Sequence, residues 1–313
     1  MSESPLLSIC IPAYNRPLWF KRALESIVTC NVQFKIEIII TDDSNNQDCE
    51  EIARRILKGW RGKWYYEYHE IRFGMAQNWN QGVNLATGRY VTILHDDDFY
   101  VAQGVEDLTA TLNRLEDQYS VMLFGVLVVN EQEQIIKRQI FKQDQFLSSK
   151  KALINLFSNS SFVRFPGIVV RRSLFQELGF FNPKWKEPCD IEMWMRLFNK
   201  YGVYCCSEVT VAYRVHPQAL TMEVFNEKTV SLLLDLFEEV DRLEILTKME
   251  IERCKGLFFY QFILAGSIRQ LKEGNFQKFK VIIKLLKLSK LKKLTIPVKW
   301  FPLKVFLVFL SYF

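Results

Sequence analysis

The chain has 313 residues, 49% hydrophobic and 24% charged, which is enough apolar material for one large or two small globular domains and excludes a disordered chain. Its seven cysteines, at 10, 30, 49, 189, 205, 206 and 254, are odd in number and show no Cys-x-x-Cys or Cys/His metal spacing, which argues against a disulfide framework and for a reducing compartment. The net charge of +6 is gathered near the C-terminus, and Met1-Ser2-Glu3-Ser4-Pro5 lacks the basic region of a secretory signal, an argument against secretion.

In chain order, 6–11 reads as a buried strand, a polar turn follows over 12–17, and apolar residues at 20, 23, 24, 27 and 28 predict a helix over 18–28. A second strand over 36–40 runs into Asp42-Asp43-Ser44. The alternation continues with a helix over 48–58, a strand over 64–68, a helix over 75–86 and a strand over 90–94. Repeated βα units predict a mainly parallel, Rossmann-like sheet, and such sheets bind ligands at the carboxyl ends of their strands. Those ends carry Asn15 and Arg16, then Asp42 and Asp43, then Asp96 to Asp98, so one crevice is expected to collect them. After a helix near 102–116 and a hairpin over 121–130 and 134–141 the regularity fades, which places a boundary near 142. Beyond it lie a short strand over 167–170 and a helix over 191–201, and from about 223 onward the pattern is helical.

His95-Asp96-Asp97-Asp98 stands between the apolar runs Tyr90 to Leu94 and Phe99-Tyr100. Three adjacent carboxylates converging in a crevice repel one another, and a divalent cation relieves the repulsion. Magnesium and manganese favour oxygen ligands, with phosphates completing the shell. A solvated acidic loop is the competing reading of such a triplet, but its place after a buried strand in a βαβ series favours a site. The chain has no Gly-x-Gly-x-x-Gly and no Gly-Lys-Ser/Thr, which argues against a dinucleotide enzyme or a P-loop ATPase.

Taken together, Ser8 to Arg16, Glu37 to Ser44, Gly74 to Asn80, Ala86 to Val91 and Leu94 to Asp98 resemble, in order and spacing, the family 2 glycosyltransferases of the GT-A fold. The resemblance covers roughly residues 6–216. It implies a GT-A catalytic domain over 1–222, with a nucleotide-sugar-binding part over 1–141 and an acceptor-binding part over 142–222, followed by a helical, basic region over 223–313.

The same resemblance assigns roles. The family's acidic motif usually reads Asp-x-Asp-Asp; its metal-binding aspartate matches Asp97 and its ribose-contacting position Asp96, while His95 replaces the first aspartate. Asp98 either supports the loop or touches the ligand. Asp43 matches the base-contacting residue, against a competing Asx-turn or N-cap reading. Pro12 to Arg16 resembles the first donor-binding loop: Tyr14 is expected to stack on the base, and Arg16 or Asn15 to reach the ribose or phosphates, whereas Pro12 alone would mark a strand end. Arg72 to Asn78 resembles a nucleotide-facing segment in which the helix N-terminus after Gly74 favours an anion, although Asn78 also fits simple helix polarity.

Pro188-Cys189-Asp190-Ile191-Glu192-Met193-Trp194 resembles the family's Glu-Asp segment before a tryptophan-bearing helix. Its aspartate, the usual general base, matches Asp190, with Cys189 in place of the glutamate; a helix N-cap is the structural alternative. Tyr213-Arg214-Val215-His216-Pro217 resembles a segment whose histidine lies near the donor phosphates, sometimes as a metal ligand, although a lone histidine is more often structural. The implied activity is inverting transfer from a nucleotide-sugar, a UDP-sugar favoured, with Mn2+ or Mg2+, onto a glycan or lipid-linked acceptor in cell-surface polysaccharide synthesis. A catalytically silent binder on the same fold competes with it. A nucleotidyltransferase ranks last, because the first strand lacks the glycine-rich, Arg-containing loop of such enzymes.

The tail interleaves lysines with apolar residues over 276–294, a basic amphipathic pattern that fits peripheral contact with the inner face of the cell membrane from the cytoplasm better than nucleic acid. The competing reading packs it as a helical subdomain. Pro297, Lys299, Pro302 and Lys304 interrupt the apolar run that follows, which leaves it short of the ~20 residues needed to span.

Overall fold

The computed structural model describes residues 4–218 and 224–312. The chain divides into two compact units, one made of the chain up to Ser149 with Val163–His216, the other of Lys150–Phe162 with the chain from Pro217.

Among the described residues the first unit is built on a sheet of ten strands. In chain order its elements are β1 (Leu7–Ala13), α1 (Pro17–Val28), β2 (Ile36–Asp42), α2 (Asp48–Ile56), β3 (Lys63–Tyr68), α3 (Met75–Leu85), β4 (Tyr90–Ile93), β5 (Phe99–Tyr100), α4 (Gly104–Leu115), β6 (Val121–Val129), β7 (Ile135–Gln139) and β8 (Gln145–Leu147). After α5 (Ser149–Ser158), which lies almost wholly in the second unit, come β9 (Ile168–Arg171), α6 (Ser173–Leu178), α7 (Cys189–Tyr201) and β10 (Val203–Arg214). The strand order is β3-β2-β1-β4-β9-β6-β10-β5, with β7 on the side of β6 and β8 on that of β10.

The first four strands in this order run parallel, as the βα alternation predicts. β9 then pairs antiparallel with both β4 and β6, which makes the far half mixed. Every position of β1 and β2 is buried, the mark of strands covered on both faces. Phe20, Leu24 and Ile27 of α1 join Ile9, Ile11 and Ile38 in one core cluster. Gly82 of α3 sits where a Cβ would come 3.2 Å from that of Cys10, so this helix lies close on the sheet.

Because β1, β2 and β4 are parallel, the loops after Ala13, Asp42 and Ile93 open on one edge. β10 runs parallel to β6, and two antiparallel steps across β9 make it parallel to β4 as well, so its end at Arg214 opens on the same edge. This twelve-residue strand is absent from the sequence reading.

The second unit is helical, with α5 joined by α8 (Glu227–Arg242), α9 (Lys248–Lys272), α10 (Phe276–Lys284), α11 (Ser289–Lys292) and α12 (Phe301–Leu310). A capping box of Thr247 and Glu250 starts α9, and Phe157, Phe237, Phe258 and Phe259 pack edge to face at its core. The lysine-rich segment over 276–294 uses its apolar side here: Phe279, Ile282, Ile283, Leu285, Leu286, Leu291 and Leu294 are all buried. Among the described residues no helix is long and apolar enough to cross a membrane, and the seven cysteines are free, buried thiols.

Candidate functional site

The loop after β4 turns tightly, with the Asp98 N–H donating to the His95 carbonyl at 3.0 Å, and distant segments brace its three carboxylates. Asp96 accepts from the Tyr14 N–H at 2.8 Å and from Arg16 Nη1 at 2.9 Å. Asp97 accepts from the same Arg16 nitrogen at 2.6 Å and lies 2.9 Å from His216 Nε2. Asp98 accepts from the Arg214 N–H at 2.8 Å. The Arg214 side chain is buried; it donates to the Asp97 carbonyl at 2.9 Å and the Glu131 carbonyl at 3.0 Å, and pairs with Glu133 at 2.9 Å. The Trp19 ring lies 4.2 Å from that of His216.

These surroundings divide the carboxylates. Burial, then the charge of Asp97, pushes Asp96 above the usual carboxylate range, with Arg16 opposing. The same two causes raise Asp98 well above it. Burial also works against ionised Asp97, but the His216 hydrogen bond and the Arg16 charge outweigh it and hold this group below its ordinary value. Asp97 is therefore the member that keeps its charge.

His95, given no role from sequence, sits between Trp79 at 5.2 Å and Phe165 at 4.5 Å. Burial lowers its pKa to about 4, which keeps the imidazole neutral. His95, Asp97 and Asp98 each present a ligand atom within 4.8 Å of the others. His95 Nε2 and Asp98 Oδ2 are buried without hydrogen-bond partners among the described residues, so this nitrogen-and-oxygen set fits a divalent cation of the manganese type.

At the other end of the crevice, Asn15 adopts φ 54°, donates its N–H to Ser44 Oγ at 2.8 Å and accepts the Asn45 N–H at 2.8 Å, which ties the first two loops together. Asp43 is buried and accepts from the Phe73 N–H at 3.2 Å and the Gly74 N–H at 2.8 Å, with His69 Nδ1 at 2.7 Å. Gly74 has φ +82°, a left-handed conformation that glycine permits. The segment thus held places the Arg72 guanidinium 4.0 Å above the Tyr14 ring. Pro12 lies inside β1 opposite Thr41, beyond the last β4 partner. Asn78 is buried in α3, where its carbonyl accepts from the Thr41 hydroxyl at 3.2 Å and its side-chain oxygen has no partner among the described residues.

Asp190 is the second residue of α7. Pro188 holds the cap position, so the N-cap alternative is not adopted. The Asp190 carboxylate accepts the Ile191 N–H at 2.7 Å, and burial pushes its pKa up to about 6. The turn before it is firmly held: the Asn80 amide bonds both the carbonyl and the N–H of Phe181, and Arg196, paired with Glu192 at 2.7 Å, donates to the carbonyls of Leu178, Gly179 and Phe180. Among the described residues no hydrogen bond or ion pair joins Asp190 to the acidic loop. The link is aromatic, since Trp194 of α7 packs on Phe165 and Phe181, which with Trp79 form the block flanking His95.

The sequence reading missed four contributors: Trp19, His69, His95 and Arg214. Arg214 stands two residues before His216 in a quoted segment and carries the signal of a strand-terminal arginine; the others have no signal beyond residue type.

A mixed sheet, parallel through its first four strands, whose carboxyl edge gathers carboxylates, an arginine and a tyrosine face, belongs to the GT-A class of fold. Residues 8–179, more than half of the chain, match the family model described as Glycosyl transferase family 2, and the chain belongs to that family. An uncharacterized glycosyltransferase of Rickettsia prowazekii (strain Madrid E) is 26% identical over 283 residues, 90% of this chain and 84% of that protein. The GalNAc(5)-diNAcBac-PP-undecaprenol beta-1,3-glucosyltransferase of Campylobacter jejuni subsp. jejuni serotype O:2 is 24% identical over 73% of this chain and 68% of that one. Among solved structures, S. aureus TarS 1–349 in complex with UDP-GlcNAc matches with a TM-score of 0.60 at 15% identity, covering 89% of this chain and 80% of that one, a likeness of fold.

Proposed function

We propose that the protein is an inverting glycosyltransferase that moves a sugar from a nucleotide-sugar, a UDP-sugar first among them, onto a hydroxyl of a glycan or lipid-linked acceptor in cell-surface polysaccharide synthesis. The observation that carries this reading is the meeting of Arg16, Asp96, Asp97 and His216, from three well-separated stretches of chain, at the carboxyl edge of the sheet.

In this reading Tyr14 and Arg72 receive the base, Asp96 and Asn15 border the ribose, and Asp43 acts by holding the Arg72 segment. Asp97 would hold Mn2+ or Mg2+ together with His216 or His95; a divalent ion there supplies charge to offset the leaving diphosphate. Arg16, poised between two carboxylates, turns to the phosphates. Asp190 takes the proton of the attacking hydroxyl. A pKa of about 6 leaves it ionised at neutral pH yet more basic than an ordinary carboxylate.

The donor class is supported by the UDP-GlcNAc complex of the structural relative. The acceptor class is supported by the Campylobacter relative, whose name specifies an undecaprenol-diphosphate-linked glycan. Such an acceptor fits an enzyme working at the cytoplasmic face of a membrane as a peripheral protein.

Screening UDP-, GDP- and dTDP-sugars for binding and hydrolysis with and without Mn2+, with Asp97→Ala as control, tests the reading. Metal-dependent binding of one donor, lost in the variant, is expected. Binding that ignores both metal and Asp97 sinks the proposal.

A further inference from the structure

From residue 274 onward the sequence holds nine lysines and no aspartate or glutamate, while the whole chain carries a net charge of +6, so the preceding residues are net acidic. Periodicity assigns the apolar surface of this stretch to 276–294, but that surface is buried inside the second unit. The lysines of the same segment point out: Lys284, Lys287, Lys290, Lys292 and Lys293 are exposed.

The exposed apolar surface lies instead on α12. Its sequence, Phe301-Pro302-Leu303-Lys304-Val305-Phe306-Leu307-Val308-Phe309-Leu310, has a single charged residue, and Leu307 is its one buried side chain. On the outward side Phe301 is 55% exposed, Val305 52%, Phe306 56% and Phe309 60%, and Val298 and Tyr312 extend the strip at either end. A helix facing water carries polar residues on its outer side; this one does not. Basic groups adjoin it directly, with Lys287 Nζ 5.6 Å from the Tyr312 ring and Lys299 exposed just before the helix. Ten residues of helix are about 15 Å long, half of the roughly 30 Å hydrocarbon core, so α12 can lie in a bilayer surface but not cross it.

We infer that the outer face of α12 is a membrane-docking surface, with Phe301, Val305, Phe306 and Phe309 entering the boundary between headgroups and acyl chains while the surrounding lysines meet anionic headgroups. The lysines select this occupant. A second copy of the chain would set Lys287 and Lys299 beside this strip against the same lysines of the other copy, whereas an anionic bilayer complements both the charge and the apolar strip. The inference deepens the reading of a lipid-linked acceptor by naming the surface and the lipid class, and it rests on that reading only for its purpose.

Co-sedimentation of the full chain with vesicles tests it. Vesicles with about a third phosphatidylglycerol should pellet the protein at low salt, pure phosphatidylcholine should pellet far less, and ~1 M salt should release it. The double variant Phe301→Ser/Phe306→Ser should lose about tenfold or more in vesicle affinity, and Lys287→Gln/Lys299→Gln about thirtyfold, with far-UV circular dichroism and donor hydrolysis unchanged. Variants that pellet like the wild type overturn the proposal, as does an apolar-face variant whose one effect is to dissociate a dimer in sedimentation velocity. Vesicle binding without any donor turnover would sink the transferase reading and leave this one standing.

Discussion

Two carboxylate sites in the first unit are built on opposite plans. The acidic loop after β4 is crowded with counter-groups: Asp96, Asp97 and Asp98 share Arg16, His216 and the Arg214 backbone within 2.6–2.9 Å. Asp190 has the N–H of its own neighbour and little else. The first plan keeps one charge fixed in place, where an ion and a diphosphate can exchange with the arginine. The second keeps one carboxylate partly buried without a cation, which raises its basicity. In the proposed reading the first serves the donor and the second accepts the proton, so each plan predicts a different consequence of losing its carboxylate.

The largest effect is expected at Asp190. Asp190→Asn should lower kcat by about three orders of magnitude or more while leaving donor Kd within about twofold, as titration calorimetry and steady-state rates will show. The same change should stabilise the fold. Asp190 titrates at about 6 when folded against 3.8 for a free aspartate side chain, so its ionisation weighs against the folded state: the penalty is absent below pH 3.8, grows as pH rises to about 6, and is constant above. Asn removes a penalty of at most about 3 kcal/mol at pH 7 and nothing at pH 3.5. A Tm rise at pH 7 that vanishes in acid checks the sign. In the unsubstituted protein kcat should fall about tenfold per pH unit below pH 6.

Asp97→Ala comes next. It should weaken metal-dependent donor binding by about a hundredfold and leave binding without metal nearly unchanged. If Asp97→Ala and Asp190→Asn behaved alike in both Kd and kcat, the two-plan contrast would fail.

How much of this the sequence disclosed follows from how local each signal is. The strands and helices through residue 100 are legible because buried parallel strands read as continuous apolar runs whatever the distance to their partners, which for β1 and β4 is 83 residues. Parts of the motif set are structural rather than chemical: Glu37 accepts from the Ser8 hydroxyl, the Thr87 N–H and hydroxyl and the Gly88 N–H, which locks the start of β4 against β1 and β2. β10 escaped because its burial does not alternate cleanly, and with it escaped the reason that His216 meets Asp97 across 119 residues. At Asp43 the residue match carries no word of the histidine and the two backbone N–H groups that engage its oxygens. Over 276–294 helical periodicity correctly marks an apolar face but carries no information on whether protein or lipid covers it.

Smaller effects separate bracing from chemistry. Arg214→Ala keeps the backbone N–H that Asp98 accepts but takes the buried guanidinium from the Asp97 and Glu131 carbonyls and from Glu133, and should destabilise the fold by about 3 kcal/mol in urea titration while weakening donor binding. His69→Ala should loosen the 72–74 segment through Asp43, with a several-fold rise in donor Kd and kcat unaltered.

The smallest effect is at Arg22, which pairs with the same Glu133 that Arg214 uses. The two arginines differ in solvent access: the Arg22 side chain is 37% exposed, against 2% for Arg214. Water and salt screen the outer pair, and its loss leaves Glu133 still paired with Arg214, so no buried group is orphaned. The Arg22 guanidinium also lies 4.1 Å from the Phe99 ring, a packing contact that alanine removes. Arg22→Ala should therefore destabilise by no more than about 1 kcal/mol, an effect reduced by salt, with donor Kd and kcat unchanged. A loss as large as that of Arg214→Ala would mean that Glu133 transmits charge from the surface into the acidic loop, and the loop would then be tuned from outside rather than by the groups that touch it.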